Sequence, residues 1–208
     1  NKLRSLLTVL GNIVAVTSII AVVSLILAMN VYVTDAIVST VGADSFSVQR
    51  MGLVRSDEEA ERLRSNPFIT LDDATAVRQF SPIVQAVMAE ASRSAEVGYR
   101  DTTLERVQVQ GVSPQYVEFA MFDAEVGRMI SPTEVVRSRP VVLLGHGTAD
   151  RLFGDAEPLD KTVRIAGMHF RVVGVSSERG SAFGQTQDEF AIIPLGAYQK
   201  LFGARQSL

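Results

Sequence analysis

The longest hydrophobic pattern opens the chain. Residues 6–33, with Ser5 in front, carry no charge, whereas Lys2 and Arg4 stand before them and Asp35 just after. As a helix this run covers roughly 40 Å, more than the roughly 30 Å of hydrocarbon in a bilayer. A basic start and small residues near Ala28 would also suit a secretion leader. The apolar part of a leader is much shorter, however, so the pattern predicts an uncleaved membrane span. Basic residues at a helix end favour the cytoplasmic side, so Lys2 and Arg4 against Asp35 place the N-terminus inside and residues from about 40 outside. Apolar positions at Val33, Ala36, Ile37 and Val41 extend the helix as a short stalk that Gly42 ends.

Beyond the stalk the period changes. Residues 45–51 alternate Phe46 and Val48 with Ser45, Ser47 and Gln49, a strand pattern. Residues 56–65 are polar enough for a surface helix or a loop. Thr70 with Asp73 three residues later predicts a helix over about 71–80. Two alternating stretches, about 83–99 and 104–112, flank the turn Arg100-Asp101-Thr102-Thr103 as a hairpin, with Val107 and Val109 on one face of the second strand. Ser113 as N-cap and Pro114 at the first helical position start another helix.

A strand at 140–146 then leads into a short helix closed by Gly154. A second hairpin, 161–177, turns near Gly167. A last strand, 188–195, passes through Pro194 into a helix ending near Gly203. Strands outnumber helices and most links are hairpins, which predicts an α+β domain with a mixed or antiparallel sheet behind the N-terminal helix. The chain divides into residues 1–41 (flank, span and stalk) and 42–208; if the second part divides again, the division falls near 112–140.

Composition narrows the functions. Removing Lys2 and Arg4 from the 20 bases leaves 18 against 23 acids, so the outer part carries about −5 with interspersed signs. That excludes a basic face for nucleic acid. The chain has no cysteine, so it has neither disulfide staples nor thiolate metal sites. Asn1 in place of an initiator Met, with no second span, is what a piece of a longer protein would show.

Little in the sequence carries chemistry. His146 stands at a strand end between glycines, with Asp150 four residues on, and His169 sits in a strand as a solvent-facing or cross-strand residue. No G-x-S-x-G elbow, H-E-x-x-H pair or Walker loop occurs, so no catalytic, metal or cofactor residue is assigned. Asp72 and Asp73 are explained by the first turn of a helix, where acids oppose the dipole. The glycine-bearing loop 177–190 has the makings of an anion-binding nest or a plain connection. Phe183, Gly184 and Gln185 at its centre are the candidate contacts for a partner or substrate.

The residues resemble a known family. The opening N-K-L-R-S-L-L-T-V-L-G resembles the N-terminal span of MacB-like ABC transporter permeases. The second half resembles that family in order: E-V-G-R-M-I-S, then V-V-L-L-G, R-L-F-G, a hairpin with V-V-G-V, an F-G loop, an acidic residue and I-P-L. Residues 45–110 match weakly, and Asp160 stands where the family commonly has Gly. The resemblance implies a permease that forms dimers and joins a cytoplasmic ABC ATPase, which would hold ATP and Mg. It further implies a periplasmic adaptor and an outer-membrane duct, with transmitted motion producing export or extraction. Two other readings stand beside it. One is a single-span sensory or scaffold ectodomain without an ATPase; the other is an anchored hydrolase using His146.

Overall fold

The computed structural model describes residues 2–41, 45–50, 56–120, 122–182 and 185–203. The chain forms two units, 1–47 and 48–208.

The first unit is the single helix α1 (Lys2–Val41). Its stretch Val9–Asn30 is long and apolar enough to cross a membrane, with a mean hydropathy of 2.4 and no part of it buried in protein. The stalk pattern is helical through Val41, and its expected stop, Gly42, lies outside the described residues.

The second unit begins with two polar helices, α2 (Asp57–Arg64) and α3 (Leu71–Phe80). Ser56 caps α2 by accepting from the Glu59 N–H. At α3 the Thr70 hydroxyl accepts from Asp73 N–H while the Asp73 carboxylate accepts from Thr70 N–H at 2.8 Å, the reciprocal cap expected from the sequence. The strand expected at 45–51 is absent from residues 45–50. Phe46 and Val48 are exposed there, and alternation alone forms no ladder. Arg50 instead donates to the carbonyls of Arg64 and Asn66, and the Asn66 side chain donates to the Arg50 carbonyl, which ties Arg50 to the end of α2.

A mixed sheet follows. Its strands are β1 (Glu90–Tyr99), β2 (Thr102–Val112), β3 (Ala124–Gly127), β4 (Val141–Leu144), β5 (Thr162–Ile165) and β6 (Met168–Ser176). The small pair β7 (Ser181–Ala182) and β8 (Gln185–Thr186) stands apart as its own sheet, and β9 (Phe190–Pro194) rejoins the main one. The main order is β3-β6-β4-β9-β2-β1-β5, and β5 also pairs with β6, so six strands close a ring with β3 attached at β6. β2–β9 and β4–β6 are parallel and the other pairs antiparallel.

The first hairpin turns at Arg100-Asp101, but β1 starts at Glu90 rather than near 83, because its last partner on β2 is Val112. The expected cap at Ser113 is also corrected. Helix α4 (Tyr116–Phe119) begins after Gln115, while the Ser113 hydroxyl accepts from the buried Ala89 N–H and donates to the Gln115 side chain. A buried strand-end donor outcompetes the helix for that oxygen.

Helices α6 (His146–Phe153) and α7 (Leu195–Phe202) cover one side of the ring. Val107, Val109, Val142, Phe170, Ile193, Leu152 and Tyr198 join there in the larger core. On the other side α4 and α5 (Pro132–Val136) close a second core of Tyr116, Ile130, Val135, Leu143 and Ile192. Fold class is therefore α+β, with the mixed sheet the hairpin-rich sequence predicts.

Candidate functional site

The loop between β6 and β9 holds the arrangement least explained by packing. β7 and β8 pair as Ser181↔Thr186 and Ala182↔Gln185, making the loop a hairpin rather than a plain link. Of the three contact candidates, Phe183 and Gly184 lie outside the described residues and Gln185 is on β8.

Below the hairpin sits Asp188, which is 5% exposed. One carboxylate oxygen accepts the Arg179 N–H at 2.7 Å and the other accepts the Gly180 N–H at 2.9 Å. The nest suggested by the glycine-bearing sequence thus exists at Arg179-Gly180, and the chain's own acid fills it. Gly180 has φ +78°, the left-handed conformation that suits glycine and turns successive N–H groups toward one acceptor. Sequence reasoning missed Asp188. Its signal was an acid, followed directly by Glu189, eight residues after a loop glycine and two before a wholly apolar strand.

The main chain of Asp188 binds in two further directions. Its N–H donates to the Thr186 hydroxyl at 3.2 Å, and its carbonyl accepts the Thr148 N–H at 3.2 Å, at the start of α6. Gly145 packs so closely on that carbonyl that a side-chain carbon would collide with it. The Arg179 guanidinium lies 5.5 Å from the Phe122 ring centre, and Phe122 is 5.5 Å from Phe190 on β9. Arg151 on α6 pairs with Glu189 at 2.8 Å. One buried residue therefore links the hairpin base, the α6 N-terminus and the approach to β9.

The histidines are placed differently. The His146 ring faces Glu125 of β3 at 3.3 Å, while the Ser176 hydroxyl accepts from the His146 main-chain N–H. His146 and Ser176 are thus not arranged as a nucleophile and its base. His169 is exposed on β6 opposite Arg164. Among the described residues, no group of three or more His, Asp or Glu side chains is placed to hold a metal ion.

A second polar cluster braces α5. The Arg128 guanidinium grips both Glu134 oxygens at 2.8 Å, and Glu134 also accepts the N–H and hydroxyl of Ser131, its own N-cap. The bonds from Arg128, reinforced by those from Ser131 and opposed by partial burial, pull the Glu134 carboxyl down to about 2. Nearby the Tyr116 hydroxyl donates to the Ile130 carbonyl and accepts the Ile130 N–H, and burial pushes its pKa up to about 12.

A closed mixed ring carrying a braced hairpin thus follows a helix of membrane-crossing length in the chain. The chain belongs to the MacB-like periplasmic core domain family, whose sequence profile matches residues 5–207.

The macrolide export ATP-binding/permease protein MacB of Chlorobaculum tepidum is 31% identical over 195 residues, 94% of this chain and 30% of that protein. The protein of the same name from Bdellovibrio bacteriovorus is 29% identical over 208 residues, 98% of this chain and 31% of its own. The chain thus spans about three-tenths of the length of these relatives. The periplasmic region of MacB from Actinobacillus actinomycetemcomitans matches in fold with a TM-score of 0.60 at 22% identity, over 73% of this chain and 68% of that one. The extracellular domain of the noncanonic ABC-type transporter YknZ from Gram-positive bacteria also gives 0.60, at 24% identity, over 73% and 75%. At these identities the two structures bear on fold alone.

Proposed function

We propose that this chain is the permease part of a MacB-type ABC transporter, coupling cytoplasmic ATP hydrolysis to movement of its extracytoplasmic domain for export or extraction of a substrate. The observation that carries this reading is the continuity of α1 through 40 residues, about 60 Å at 1.5 Å per residue. Roughly half that length suffices for the hydrocarbon layer. Packed, hydrogen-bonded elements move as units, so a helix continuing beyond the span can carry a displacement of its inner end outward.

In this reading Lys2 and Arg4 hold the N-terminus in the cytoplasm of a cell with a bacterial-type inner membrane, and Asp35 emerges on the outer side. The chain itself performs no catalysis. ATP and Mg bind in an ABC ATPase, fused or separate, as the relatives' name of ATP-binding/permease protein suggests. A second permease copy completes the assembly, with a periplasmic adaptor and an outer-membrane duct taking the exported molecule onward. The hairpin around Gln185 is the candidate contact for that partner or substrate.

The test is a flexible glycine segment inserted after Thr34 in the full-length protein. ATP hydrolysis should persist while transport falls to background; undiminished transport would remove the mechanical role of α1. A single-span sensor or scaffold would show no ATP-linked transport even before the insertion.

A further inference from the structure

We propose that Asp188 is a positioning residue of this transporter: its buried carboxylate fixes the β7–β8 hairpin to the domain, so that the hairpin moves with the α6–β9 body when the domain moves. The inference rests on the permease reading above and adds to it the residue that makes one outer element part of the moving body.

The argument starts from cost. A carboxylate removed from water is expensive unless its lone pairs are met, and a simple link between β6 and β9 has no need of one. Here both oxygens are met by main-chain N–H groups of the hairpin base, Arg179 at 2.7 Å and Gly180 at 2.9 Å. Bonds of N–H groups to a charged acceptor are among the stronger ones in a protein. Among the described residues β7 and β8 form strand pairs only with each other, and Gln187 N–H closes the base on the Gly180 carbonyl at 2.9 Å.

Attachment to the body runs through the same residue. The Asp188 carbonyl takes the Thr148 N–H of α6, and Gly145 leaves room for that carbonyl to approach. Phe190, two residues on, begins β9 in the middle of the ring. Arg179 adds a contact over Phe122. A neutral residue at 188 would leave the strand and α6 in place and release only the hairpin, because local openings follow the bonds that close them.

The test uses Asp188→Asn in the full-length protein in membranes. Asparagine keeps the shape but turns an NH2 toward one of the two N–H donors. Amide exchange at 180–187 should accelerate at least about tenfold, the opening expected when a hydrogen bond to a charged acceptor is lost. Exchange in β9 and β4 should not change. ATP-linked transport should fall severalfold while ATP hydrolysis continues. Thr186→Val removes only the exposed hydroxyl that accepts the Asp188 N–H, so it retains the fold and should shift both readouts the same way by less.

Unchanged hairpin exchange in both variants would overturn the joint. Faster exchange with undiminished transport would overturn its role in the stroke. Absence of ATP-linked transport by the unaltered protein would instead remove the permease reading, while the exchange measurement still decides whether Asp188 holds the hairpin.

Discussion

Replacing Glu134 by Gln tests the electrostatic brace of α5 most sharply. The side chain is 13% exposed and its partner Arg128 is 50% exposed. A carboxyl lowered from 4.5 to about 2 corresponds to a gross stabilisation of about 3 kcal/mol. Solvent around the half-exposed guanidinium screens much of this, leaving about 1–2 kcal/mol for the pair. Glutamine still offers one oxygen to Ser131, so only about 0.5 kcal/mol of capping is lost in addition. Glu134→Gln should therefore destabilise the outer unit by about 2 kcal/mol at neutral pH.

The pH dependence carries the sign. The folded-state pKa of Glu134 lies below its unfolded value, so its contribution is complete above about 4.5 and disappears as pH falls through about 2. Urea unfolding followed by far-UV circular dichroism from pH 7 to pH 2.5 should show the gap between native and variant proteins closing below pH 4.5. A gap that stays constant across that range, or no gap at pH 7, would refute the reasoning.

Two other substitutions address packing. At Gly111 a side-chain carbon would stand 2.5 Å from Tyr198 Cγ and 3.0 Å from Cδ2, and Tyr198 is 1% exposed; Gly111→Ala should cost about 1–3 kcal/mol in urea unfolding through overpacking of α7 on β2. Asp160 has φ +58° and its carboxylate accepts from the exposed Arg171 guanidinium, so Asp160→Gly should leave the thermal midpoint unchanged or slightly raised. Asp160→Val should lower that midpoint by about 2–8 °C, since a β-branched residue pays about 1–2 kcal/mol in the left-handed region. Equal midpoints for the glycine and valine variants would contradict the turn geometry.

Where local chemistry and tertiary context agreed, the elements were legible in the sequence. Thr70 with Asp73, Gly154 after α6 and Gly167 between β5 and β6 each satisfy a backbone need within a few residues, and the structure uses all three as expected. The stretch Ser131-Pro132-Thr133-Glu134 carries the same kind of signal for α5, a capping box with proline at the helix start. Phe46 and Val48 alternate like a strand, yet a strand needs a partner that alternation does not supply. Ser113 had two uses for one oxygen, and the choice depended on the Ala89 N–H 24 residues away.

The candidate site was legible only in part. The glycines of the 177–190 loop left a nest and a plain connection both open, and did not point to Asp188. Which group fills the nest follows from the hairpin returning Asp188 beneath Arg179 and Gly180, a closure over eight to nine residues that depends on the β7–β8 pairing rather than on residue type. The glycine expected at position 160 by family resemblance is replaced by an aspartate in the left-handed region, so the turn is kept with another residue.

The permease role proposed above would make the chain part of an ATP-driven machine. Its most direct test is to purify the full-length tagged protein gently from its native membrane and identify, by mass spectrometry, what co-purifies in near-stoichiometric amount. An ABC ATPase, either as a partner or as part of the same polypeptide, should be recovered, with ATP hydrolysis in the purified complex. Recovery of a kinase or a cell-wall factor, with no ATPase and no hydrolysis, would contradict it.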